Sequence, residues 1–91
     1  MNTMRGEVSV DLAGAPRRLC LTLGALAEIE GALGADGIGG LAERMRTLSA
    51  RDLVVVLGAL LRGGGEDPAL AERAEPRVAA EGVARAFAAS V

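Results

Sequence analysis

The chain has no histidine, lysine, tryptophan or tyrosine, and only one cysteine and one phenylalanine. Without histidine, Ser9, Ser49 and Ser90 have no imidazole to activate them as nucleophiles. The single thiol, Cys20, cannot form an internal disulfide, nor a metal site without histidine partners. It is expected to be a small hydrophobe or a half-exposed strand residue. A chain this poor in reactive side chains is not expected to be an enzyme or to carry a cofactor or metal. Long hydrophobic runs are also missing. The longest, Leu53 to Leu57 continuing past Gly58 to Leu61, is far too short to cross a bilayer. No apolar run of signal-peptide length follows Arg5, so the reading is cytoplasmic, with no membrane partner. A basic block is absent too. The ten arginines are interspersed among twelve acids for a net charge of −2, whereas nucleic-acid binders cluster their positive charge on one face. Arginine to the exclusion of lysine, with abundant alanine and glycine, suggests a GC-rich bacterial genome.

What is present is a chain of 91 residues, 51% of them hydrophobic. That length allows a single domain, 1–91, burying roughly 60% or a little more of the surface its unfolded form exposes. A net stability of about 5–10 kcal/mol is expected. With Phe87 the only aromatic residue, the core must be built from leucine, valine and alanine, and burial against a partner can add to its stability.

From Gly6 to Leu12 the pattern alternates, with Val8, Val10 and Leu12 on one face and Glu7, Ser9 and Asp11 on the other, as in a half-buried strand. Ala13-Gly14-Ala15-Pro16 supplies a turn. A second strand returns with Leu19, Leu21 and Leu23 opposite Arg18, Cys20 and Thr22, giving a hairpin over 5–23. A lone hairpin is marginal, so its apolar face must pack on the helical part, 23–91. Thr22 is the expected N-cap of the first helix and Gly34 its left-handed stop. Gly24 and Gly31 are expected where that helix lies close to a neighbour. Ile38, Leu41, Met45 and Leu48 recur as a narrow stripe on a second, weak helix. Ser49 and Asp52 form a capping box for a third, largely apolar helix ending near Gly63. Asp67-Pro68 restarts helix in the favoured order, and Pro76 interrupts it before a final amphipathic stretch. The fold class is therefore α+β, a β-hairpin packed on about four short helices. Leu26, Ile29, Val54, Leu57, Leu61, Val83 and Phe87 are expected to share the core.

Constellations that invite chemistry have plainer explanations. Gly34, Gly37, Gly39 and Gly40 follow a helix rather than a strand and lack the lysine of a phosphate loop. The acid pairs Glu28/Glu30, Glu66/Asp67 and Glu72/Glu75 lie on polar faces, where nothing desolvates one member. What remains is apolar surface. Ile38, Leu41 and Met45 either complete the core or form a groove for a partner helix, with Arg44 and Arg46 beside it to orient an acidic partner.

Four segments in order, Arg5-Gly6-Glu7-Val8, Leu21-Thr22-Leu23-Gly24-Ala25-Leu26-Ala27-Glu28-Ile29-Glu30, Ser49-Ala50-Arg51-Asp52 and Leu60-Leu61-Arg62-Gly63-Gly64-Gly65, resemble the short gene transfer agent and phage tail proteins of tail tube or tail assembly chaperone type. The resemblance is firmest over 5–65 and departs at Asp67-Pro68 and Glu75-Pro76. It implies a tail morphogenesis factor of a prophage or gene transfer agent, a chaperone that holds tape-measure or tail-tube protein ready for assembly. A structural subunit that forms rings through its hairpin edge is the first alternative. It would carry self-association and incorporation into a phage-like particle. A small DNA-binding regulator is the second, though the Ser49–Arg62 helix is too apolar to lie in a groove of DNA.

Overall fold

The computed structural model describes residues 6–90, leaving aside the side chains of Ile38 and Ala42. The alternating segment forms β1 (Glu7–Leu12), which pairs antiparallel with β2 (Ala15–Cys20) in the register Leu12↔Ala15, Val10↔Arg17 and Val8↔Leu19. The turn is tighter than the sequence suggests. Only Ala13 and Gly14 lie between the strands, both at positive φ (55° and 81°), the conformation that matches strand twist in a two-residue hairpin. Arg17 braces this turn, donating from Nε to the Leu12 carbonyl at 2.9 Å and from a terminal nitrogen to that of Ala13 at 3.2 Å. Pro16 is not part of the turn. It sits in β2 opposite Asp11, where its missing N–H costs no rung of the ladder.

The helices are α1 (Leu23–Leu33), α2 (Gly37–Met45), α3 (Ala50–Gly63) and α4 (Pro76–Ala89), with a 3-10 helix at Pro68–Arg73 between the last two. Their ends follow the expected chemistry. The Thr22 hydroxyl accepts from the Ala25 N–H, Gly34 closes α1 at φ 67°, and Ser49 and Asp52 form a reciprocal capping box. Asp67 caps the 3-10 turn instead of a full helix, and Pro76 opens α4 as its first residue.

α3 is the axis of the molecule: α1, the 3-10 helix, β2 and α4 all pack on it. Its segment Val56 to Leu61 is wholly buried, together with Ile29, Leu19, Val83 and Ala86. Two close approaches hold the hairpin down. The C-terminal end of α3 lies so near β2 that a Cβ on Gly63 would strike the Cys20 carbonyl oxygen, and one on Gly64 that of Arg18. α4 crosses the inner face, where a Cβ on Gly82 would lie 3.0 Å from a Leu19 methyl and 3.1 Å from one of Val10. Gly24 and Gly31, expected at such contacts, have no near neighbour except the Thr22 hydroxyl, 3.9 Å from a Cβ on Gly24.

Three other expectations are corrected. Leu23 is not a strand residue: it begins α1 and is 82% exposed. Val54 is no core residue either, at 36% exposed, because α3 enters the core only from Val56 onward. Leu26 and Phe87 are half-buried rather than enclosed. Cys20, on the strand's outer face by alternation, is nevertheless buried because the end of α3 covers it. Burial pushes its thiol pKa up, and the carboxylate of Glu7 opposite adds to the rise.

The two edges of the hairpin differ. On β2, the Arg18 N–H donates to Glu66 Oε2 at 3.0 Å, while Gly63 and Gly64 cover the outward carbonyls of Cys20 and Arg18. β2 is thus closed. On β1, the Ser9 carbonyl accepts from Arg85 at 3.0 Å.

Candidate partner-binding face

The expected stripe on α2 is divided by the structure. Leu41 is 3% exposed and belongs to the core, so it cannot receive a partner without unfolding α2. The side chain of Ile38 lies outside the described residues. Arg44 is structural: it donates to the Leu33 carbonyl at 3.2 Å and to Asp52 Oδ2 at 3.1 Å, tying α2 to the end of α1 and the start of α3. The acceptor Asp52 also takes the Ser49 N–H, and this backbone bond, with Arg44 and the Ser49 hydroxyl, holds its pKa below the usual range against partial desolvation. Leu48, placed on α2 by its spacing, lies beyond the helix, which ends at Met45.

Met45 and Arg46 do reach a cleft. Together with Leu48, Leu53, Ala80, Val83, Ala84 and Phe87 they line an open, largely apolar depression of about 550 Å³ between the α2–α3 corner and α4. Met45, Leu48, Leu53 and Phe87 are half-buried, and Ala80 and Ala84 are exposed on the α4 wall. Arg46 stands at the rim, 78% exposed, and approaches Glu43 at 4.0 Å, a pairing too solvated to hold it. A second, smaller cleft of about 160 Å³ lies on the other side of Leu53, lined by Ala50, Val54, Glu72, Pro76 and neighbouring alanines. Leu53 is common to both clefts, so the apolar surface continues across the start of α3. The contribution of α4 is hard to read from the sequence because Ala80 and Ala84 are small and lack the apolar bulk that marks a binding face. The signal lay in their spacing at i and i+4 beside Phe87.

Among the described residues no three acids or thiols gather to hold a metal ion, and no helix is long and apolar enough to cross a membrane.

A family model described as phage tail tube protein, GTA-gp10, matches residues 5–91. The chain belongs to this phage tail family. No curated protein and no solved structure matches it. The match runs through the 3-10 turn and α4, so the part of this tail protein after Gly65, where the sequence resemblance is weakest, is within the family pattern. A role in a phage-type tail, through contacts with other tail proteins, follows for the chain.

Proposed function

We propose that this tail-family chain is an assembly chaperone without catalytic function, and that the cleft between the α2–α3 corner and α4 receives an amphipathic helix of a client such as the tape-measure or tail-tube protein. The single observation that supports this is the open, largely apolar cleft of about 550 Å³ between the α2–α3 corner and α4. Its walls suit such a client. Met45 adapts to varied shapes, Ala80 and Ala84 let a helix backbone approach closely, and Arg46 at the rim can orient an acidic group. The test replaces residues that are exposed and outside the core: Ala80→Asp with Ala84→Asp, co-expressed with the client. The doubly substituted chain is expected to keep its helical circular dichroism and melting transition while the client becomes insoluble. A folded variant that still holds its client soluble removes the cleft from the mechanism.

The family description, tail tube protein, favours a second reading in which the chain is itself a structural subunit. The native mass separates the two, a ring for a tube subunit and a monomer or dimer for a chaperone. The DNA-binding alternative has less to support it, since α3 buries Val56 through Leu61.

A further inference from the structure

Backbone accounting at the hairpin leads to a second surface, independent of the cleft. In a hairpin with a two-residue turn, alternate residue pairs exchange ladder bonds, and the pairs between them point their N–H and C=O groups away from the partner strand. Ser9 and Arg18 are such a pair: the Arg18 N–H goes to Glu66 and the Ser9 carbonyl to Arg85, not to each other. Glu7 and Asp11 share the outward orientation of Ser9. On β2 the Arg18 N–H goes to Glu66, Gly63 and Gly64 lie over the Cys20 and Arg18 carbonyls, and Pro16 has no N–H to offer. On β1 the Ser9 and Asp11 N–H groups have no partner among the described residues, and both residues are exposed. Beside this edge runs a cleft of about 250 Å³, lined by Ser9, Val10 and Asp11 on one side and by Val78, Glu81 and Arg85 of α4 on the other.

We infer that the outer edge of β1 docks an extended, basic segment of a partner chain as a third strand. The charges select the occupant. Pairing β1 with β1 of a second copy about Ser9 would set Glu7 against Asp11, acid on acid at both ends, which disfavours pairing. A segment with arginine or lysine at two positions four apart meets Glu7 and Asp11 with opposite charge. The intervening aliphatic residues then lie beside Val8 and Val10, against Val78. Arg85 does not close the edge, because the Ser9 carbonyl keeps a second lone pair.

The probe is a capped Arg-Val-Thr-Val-Arg peptide titrated into the isotope-labelled protein, beside the same peptide with glutamate for arginine. The basic peptide is expected to slow hydrogen exchange at the Ser9 and Asp11 amides, to bind about tenfold more tightly than the acidic one, and to weaken with salt. Ser9→Pro removes an N–H that points away from β2, so it is expected to keep the hairpin and abolish binding. Should that variant fail to fold, Glu7→Arg with Asp11→Arg decides, since it is expected to reverse the preference to the acidic peptide. Equal affinity for the two peptides, no protection at Ser9 and Asp11, or binding by a folded Ser9→Pro chain would each overturn the inference. Protection of the same amides by self-association alone would overturn the choice of occupant.

Discussion

At the scale of single residues, burial separates side chains that the sequence treats alike. Leu57 is 1% exposed and Val54, one turn earlier on the same helix, is 36% exposed. Leu57→Ala is therefore expected to cost about 2–5 kcal/mol, a large part of the stability of so small a domain. Val54→Ala should cost under about 1 kcal/mol. Denaturant titration of both variants checks the contrast, and equal losses would place Val54 back in the core. Two groups with shifted pKa values tie stability to pH. The pKa of Asp52 is lowered in the folded chain, so its contribution is complete above its ordinary value of 3.8 and is lost as pH falls below it through the lower folded value. The thiol of Cys20 is raised, so its contribution is complete below 9.0 and is lost as pH rises above that through the higher folded value. Thermal melts against pH are expected to show a shallower acid limb for Asp52→Asn and a shallower alkaline limb for Cys20→Ala. An unchanged alkaline limb in the latter would mean that Cys20 is accessible in the folded chain.

At the scale of elements, the joints between pieces matter more than the pieces. Gly63→Ala would drive a methyl group into the Cys20 carbonyl. Because the obstacle is backbone, the end of α3 must lift from β2, and a loss above about 2 kcal/mol is expected. Gly31→Ala, on an open helix surface, should stabilise by up to about 1 kcal/mol. Melting temperatures moving in opposite directions would confirm the pair. The same joints explain what the sequence makes legible. Helix starts and stops at Thr22, Gly34, Ser49 and Asp52 can be read because capping is local chemistry. The burial of Cys20, the exposure of Val54 and the true crowded glycines, 63, 64 and 82, depend on which element lies across which. Spacing along one element does not carry that information. The shortness of the stretch after Asp67, a 3-10 helix rather than a full one, has the same origin, since it must fit against α3 before α4 begins.

At the scale of the whole molecule, the candidate site was only partly readable. Met45 of the stripe and Arg46 beside it line the cleft, but Leu41 lies in the core and Arg44 holds three helices together. The opposite wall comes from α4, more than thirty positions away in the chain. Native mass spectrometry of the purified chain is expected to give monomer or dimer, and a ring would turn the chaperone reading into that of a structural subunit. The far contact between α4 and the hairpin carries a last consequence. Val10 and Leu19 are sealed by Gly82, and Gly6 bonds to the Ala89 carbonyl. As the chain emerges from a ribosome, the hairpin is made more than fifty positions before α4, so its greasy side stays incompletely covered until that helix is available. Completing the fold waits on this late closure, because contacts so distant in sequence must bear the cost of closing a long loop. During that interval the newborn chain is itself a sticky species, with Val10 and Leu19 open to any apolar surface it meets.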